Sequence, residues 1–232
     1  MKRGISSLER MKIIVPIRPR SVAELEILLR KIEKQVDIIE IWFDTVVQEL
    51  MIAPSLIHQV QSLLTKAKIE QQVQLLGVCK TAAEKGAFPG TASQRVELLT
   101  EFLKLGGQFV DLDITQNSAA LISQIEPEKL WLSYHDFQTV PTDLADIKAS
   151  METFTPQLYK FAVTPQNQEQ LDRFVNFAKS FDKPAIFTTM GPLGLRGREQ
   201  LKPHTWGSFY AISSEYTTAT GQPTLADLND SM

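Results

Sequence analysis

Eight short apolar runs, separated by stretches with three- and four-residue apolar spacing, restrict the fold more than any other feature of this sequence. The runs are KIIVPI (12–17), IIEIWF (38–43), VQLLGVC (73–79), FVDLDI (109–114), LWLSY (130–134), LYKFAV (158–163), AIFTT (185–189) and GSFYAI (207–212). Their Val, Ile and aromatic residues suit buried strands and the intervening segments suit helices, so the alternation reads as repeated βα units around a parallel sheet. Local signals agree. In SVAELEILLRKIEKQ, Ser21 is placed to cap a helix with Glu24 three residues on; in SQRVELLTEFLKLGG, Ser93 and Glu97 start one and Gly106 ends it. Eight strands in 232 residues favour a (β/α)8 barrel; an open doubly wound sheet is the alternative.

No Gly/Ser/Pro-rich linker divides the chain, so a single domain over 1–232 is expected, with residues 1–10 as a flexible extension. The segment GPLGLRGREQLKPHTW (191–206), rich in Gly and basic residues, reads as a mobile or ligand-covering loop. With 43% hydrophobic residues and no apolar run of membrane-spanning length, the composition is that of a cytoplasmic globular protein. A net charge of −3 without blocks of like charge argues against a nucleic-acid or anionic-membrane partner, leaving a small molecule. The single cysteine, Cys79, is expected as a buried hydrophobe, and the three histidines lack metal-ligand spacing, so neither a metal nor a cofactor is expected.

Ligands of barrels and open α/β sheets bind beyond the carboxyl ends of the strands, and polar residues crowd there. Glu40, Trp42 and Asp44 share one side of the second run, and Asp111 and Asp113 share one side of the fourth. Lys80, Thr81 and Glu84 follow the third run, and His135 and Asp136 end the fifth. Lys160 lies inside the sixth, Met190 and Arg198 follow the seventh, and Thr218 and Gln222 follow the eighth. Singly, each has an ordinary reading: a snorkelling lysine, a loop histidine, surface cations, or a pair of supporting aspartates. Together they suit carbonyl chemistry. A lysine desolvated in a barrel has its pKa lowered, so its amine attacks a carbonyl and forms a Schiff base; removing so poorly solvated a group should relieve a cost. A histidine then moves the proton on the adjacent carbon, with a carboxylate such as Glu84 holding its tautomer, while an arginine clamps a substrate carboxylate.

These residues, with SYHDF, QTVPT, YKFAV, the loop MGPLGLRGR and the closing TATGQP in the same order, resemble the type I 3-dehydroquinate dehydratases over nearly the whole chain. The family loop Met-Gly-x-x-Gly-x-x-Ser-Arg falls on Met190, Gly191, Gly194 and Arg198, with Gly197 in place of the serine. The resemblance implies a (β/α)8 homodimer that dehydrates 3-dehydroquinate to 3-dehydroshikimate through an imine, without a metal. By position, Lys160 would be the imine lysine, His135 the general acid/base and Glu84 its carboxylate partner. Arg198 and Gln222 would meet the substrate carboxylate and Glu40 its hydroxyls, with Asp111 and Asp113 in support.

The departures concern the same pocket. Trp42 and Lys80 stand where the family has arginines, Thr218 replaces a serine and Thr220 a proline. Losing two guanidinium forks removes one or two charge-assisted hydrogen bonds of about 1.5–3 kcal/mol each. Two further readings therefore stand beside the dehydratase: a weak or inactive barrel that binds a cyclic carboxylate, and an imine-forming lyase acting on another keto acid. They are separated by whether Trp42 faces the pocket.

Overall fold

The computed structural model describes residues 10–32, 35–52, 55–219 and 221–229. Eight parallel strands form one sheet: β1 (Lys12–Ile17), β2 (Ile38–Trp42), β3 (Gln74–Val78), β4 (Phe109–Asp113), β5 (Leu130–His135), β6 (Leu158–Val163), β7 (Ala185–Thr189) and β8 (Gly207–Phe209). The order is β7-β6-β5-β4-β3-β2-β1-β8, so each strand lies beside its neighbour in sequence. Between β7 and β8 a short seam takes the place of a ladder. The Trp206 N–H donates to the Ala185 carbonyl (2.8 Å) and the Phe187 N–H to the Thr205 hydroxyl (3.0 Å). The sheet is thus a nearly closed barrel and the open alternative is excluded.

Helices cover the outside: α1 (Val22–Arg30), α2 (Val46–Ile52), α3 (Leu56–Gln71), α4 (Ala92–Lys104), α5 (Ala119–Ile122), α6 (Leu144–Glu152), α7 (Gln168–Ser180), α8 (Gly194–Leu201) and α9 (Leu225–Asn229). Ser21 caps α1 as expected, accepting from the Glu24 N–H at 3.1 Å. Helix α4 starts two residues earlier than Ser93 would place it, because Thr91 and Gln94 form a reciprocal capping box; Gly106, at φ 108°, follows its end.

Two expectations need correction. The segment after Met190 is not a loop throughout, since 194–201 is helical. Its buried stripe is Gly194, Gly197 and Leu201, and with two glycines among three positions it leaves no apolar signal. The eighth strand ends at Phe209 and continues only as an isolated bridge between Ala211 and Thr224. Of the expected N-terminal extension, residues 1–9 lie outside the described residues, whereas Arg10 forms a two-pronged pair with Asp37 (2.8 and 3.0 Å).

Strand parity sorts the side chains. Ile39, Ile41, Tyr159, Phe161 and Val163 face the helices in the main core, while Ile14, Ile38, Leu76, Trp131, Leu158 and Ile186 fill the barrel interior. Cys79 is buried, and burial pushes its thiol well above the usual range, which leaves it inert. The same parity carries Glu40 and Trp42, Asp111 and Asp113, Ser133 and His135, and Lys160 and Ala162 inward at the carboxyl ends. The register sets Lys160 opposite Ser133, and Ser133 opposite Asp113.

Candidate active site

A cavity of about 420 Å³ opens at this end of the barrel. The structure brings together Lys160, His135, Glu84, Glu40, Trp42, Lys80, Met190, Arg198, Thr218 and Gln222 in its lining; Asp111 and Asp113 stand behind, touching Lys160 and His135. Thr220 lies outside the described residues.

Lys160 is buried, and its Nζ donates to Asp111 Oδ2 (3.0 Å) and Glu40 Oε2 (3.3 Å) while lying 4.5 Å from the Phe209 ring centre. Burial works to lower its pKa, but the two carboxylates outweigh that cost, and the amine is held above its ordinary value. The expected lowering is therefore corrected: between these two carboxylates Lys160 is an ammonium. Burial works to raise Asp111, yet Lys160 and then Lys80 hold it below the ordinary carboxylate range, and the Ser133 hydroxyl donates to its other oxygen.

His135 receives a different partner from the one the sequence suggested. Its Nδ1 lies 2.7 Å from Asp113 Oδ2, and Asp113 Oδ1 is fixed by the Thr115 N–H and hydroxyl (2.7 and 2.6 Å). Burial, then Lys80, lowers the imidazole below its usual range against the pull of Asp113, so the ring is neutral at pH 7. With Asp113 accepting at Nδ1, the ring N–H sits there and Nε2 is the free base. Glu84 instead accepts from Arg95 and from the Thr81 N–H and hydroxyl. Arg95 is itself buried, and its other terminal nitrogen reaches the Gln116 carbonyl and Asn117 Oδ1 (both 2.8 Å). An arginine inside a helix pattern gave no sign of this role.

Trp42 faces the cavity. Its Nε1–H donates to Glu40 Oε1 at 2.7 Å, and its ring lies 5.2 Å from the Arg18 guanidinium and 5.5 Å from the Lys80 ammonium. Each cation contributes about 0.5–2 kcal/mol to holding it. Arg18, which the sequence did not single out, is anchored to buried Asp44 at 3.2 Å.

Across the cavity, Arg198 Nε and NH1 are shielded from solvent and have no hydrogen-bond partner among the described residues. Burial pulls this guanidinium down to about 10, so it stays cationic at neutral pH. Two buried unpaired donors cost several kcal/mol together unless an anion meets them. Thr188 Oγ1 is likewise unpaired, and Gln222 Oε1 is taken by the Thr218 N–H and hydroxyl (2.8 and 3.1 Å). Phe137, Thr188 and Phe209 complete walls that only the three-dimensional register places.

A nearly closed parallel barrel whose carboxyl-end mouth holds a buried lysine, a carboxylate-held histidine and an unpaired arginine has the build of a (β/α)8-barrel enzyme. The type I 3-dehydroquinase family profile matches residues 13–232, and the chain belongs to that family of hydro-lyases. The 3-dehydroquinate dehydratase of Streptococcus thermophilus is 27% identical over 227 residues, covering 94% of this chain and 96% of its own. Among solved structures, type I 3-dehydroquinate dehydratase from Clostridium difficile with covalently modified comenic acid superposes with a TM-score of 0.82 at 21% identity, covering 99% and 96% of the two chains. The Geobacillus kaustophilus 3-dehydroquinate dehydratase gives 0.77 at 20% identity, covering 96% and 90%. Among the described residues no helix is long and apolar enough to cross a membrane.

Proposed function

We propose that this chain eliminates water from a cyclic β-hydroxy ketone carboxylate, with 3-dehydroquinate of the shikimate pathway as the reference substrate, through an imine on Lys160. The observation that carries the proposal is the meeting of Lys160, His135 and the unpaired Arg198 around one cavity. Arg198 takes the substrate carboxylate, which fixes the ring with its ketone toward Lys160. The ammonium first passes its proton to Asp111 or Glu40, the acceptors at 3.0 and 3.3 Å. The amine then adds to the carbonyl carbon and water leaves, giving the iminium. His135 Nε2 removes the proton from the adjacent ring carbon, and the C–H electron pair moves into the iminium to form an enamine. The enamine electrons return to expel the β-hydroxyl, which takes the proton from His135 and departs as water. Water adds to the conjugated iminium and releases Lys160 and the enone, so the net change is loss of one water.

In this reading the protein works in the cytoplasm as a homodimer, as the family resemblance implies. The test is incubation with 3-dehydroquinate, following enone absorbance, with borohydride added to reduce any imine. Turnover with a reduced adduct on Lys160 supports the proposal; neither turnover nor adduct overturns it in favour of a binding barrel. Trp42 in the cavity wall favours one variation, an imine-forming lyase on a differently substituted ring.

A further inference from the structure

We infer that Arg95 is a positioning residue for His135, joining Glu84 to the turn that carries Asp113 so that the imidazole is held in line for proton removal. The inference rests on the reading of His135 as the base of the imine reaction.

The guanidinium is out of place in an ordinary core. Arg95 is 2% exposed on helix α4, and its Nε–H has no hydrogen-bond partner among the described residues. A buried ion pair is weak ground for stability, since well-packed apolar residues of like volume serve as well, and an unpaired donor adds to the cost. What the other two nitrogens reach accounts for it. NH1 donates to Glu84 Oε2, and NH2 donates to the Gln116 carbonyl and to Asn117 Oδ1, both at 2.8 Å.

Asn117, also buried, carries the path inward. With its Oδ1 accepting from Arg95, its Nδ2 donates to the Asp113 carbonyl at 2.8 Å, and the Gln116 N–H meets the same carbonyl at 3.2 Å. Arg95 thus braces the 113–117 turn from outside at both Gln116 and Asn117. At the inner end Asp113 Oδ2 stands 2.7 Å from His135 Nδ1. The hydrogen-bonded path from Glu84 to His135 runs through buried groups, where such bonds strengthen one another. Glu84 therefore serves His135 at one remove, as counter-ion to the arginine that steadies its aspartate.

The charges around the imidazole give this role a signature. Burial, Lys80 after β3 and Lys160 on β6 press its pKa down, and Asp113 on β4 draws it up. Glu40 on β2, Glu84 and Lys85 after β3, Asp111 on β4 and Arg198 on α8 complete the charge at the cavity. Loosening Asp113 weakens the upward pull and leaves the others in place.

The experiment measures kcat, KM and the pH profile of kcat/KM for 3-dehydroquinate in Asn117→Ala and Arg95→Lys, with borohydride trapping of the wild type as control. Asn117→Ala breaks the path and leaves the Arg95–Glu84 pair whole. Arg95→Lys keeps a cation for Glu84 but has no second branch for Gln116 and Asn117. The expected result for both is a kcat lower by about 10- to 100-fold, the scale of a misplaced catalytic group, with KM within about threefold of the wild type. The acid limb moves to lower pH in both. An unchanged kcat, a loss carried mainly by KM, or a fall in kcat with the limb unmoved or raised overturns the inference, the last outcome marking a structural role alone. Should Arg95→Lys not fold, Asn117→Ala, which strands no charge, decides by itself. A wild type that gives neither turnover nor an adduct on Lys160 overturns the imine reading and this inference with it; a wild-type adduct with both variants unaffected overturns this inference alone.

Discussion

Asp113 Oδ2 stands 2.7 Å from His135 Nδ1, and the aspartate is itself braced by two hydrogen bonds from Thr115. The carboxylate therefore fixes both the tautomer and the plane of the imidazole. Asp113→Asn presents an amide in its place and is expected to lower kcat by about 10²–10⁴, the scale of such a change at a catalytic histidine. Glu84→Gln, at a residue tied to Arg95, should cost less. Steady-state kinetics of the two variants decide which carboxylate serves His135, and a larger loss for Glu84→Gln would reverse the assignment.

The pH profile should carry the mark of Lys80. His135 lies below its usual range through burial and then Lys80, so the acid limb of kcat/KM falls at a pH under about 6.5, where the free imidazole gains a proton. Lys80→Gln removes one of the three lowering causes, burial and Lys160 being the others, and should move that limb to higher pH. An unmoved limb would show that Lys80 does not act on the histidine.

Lys160 also governs stability. A carboxylate lowered on folding, as Asp111 is, contributes stability that is present above its ordinary value of 3.8 and lost as pH falls through its folded value. A lysine raised on folding contributes below its ordinary 10.5 and loses that contribution as pH rises through its folded value. The pair is thus fully effective between about pH 5 and 9. Lys160→Met strands two buried carboxylates and should cost about 3–5 kcal/mol at pH 7, contrary to the expectation that removing the amine relieves a cost. Because one stranded carboxylate can then take a proton, the variant should gain stability between pH 7 and about pH 5, where the wild type does not. Urea melts at the two pH values measure this.

Gly197 explains one departure from the family pattern. A Cβ built there would lie 2.3 Å from Thr189 Oγ1, and that hydroxyl is buried and bonded to the Gly194 carbonyl at 2.8 Å. Gly197→Ser should therefore destabilise the protein by about 1–3 kcal/mol and raise KM by displacing Arg198 on the same helix. Adding Thr189→Ala should restore most of both losses. Thermal melts and kinetics of the double variant test the pairing; strict additivity would argue against it.

Much of this was legible in the sequence because strand parity is a local property. Glu40 with Trp42, and Asp111 with Asp113, face inward simply by being two residues apart. What escaped depends on other strands. The partner of His135 follows from the β4–β5 register, and the charge of Lys160 from carboxylates 49 and 120 residues away. Arg95 reads as an exposed helix residue until Glu84 and Asn117 are folded against it. Helix α8 was hidden because glycines form the face it buries.

The seam between β7 and β8 has a consequence for the bound state. Arg198 follows one of these strands and Gln222 the other, and both line the cavity. A carboxylate held by both would act as a clasp across the least-laced joint of the ring, so substrate should slow hydrogen exchange at Trp206 and Phe187, which lie outside the cavity lining.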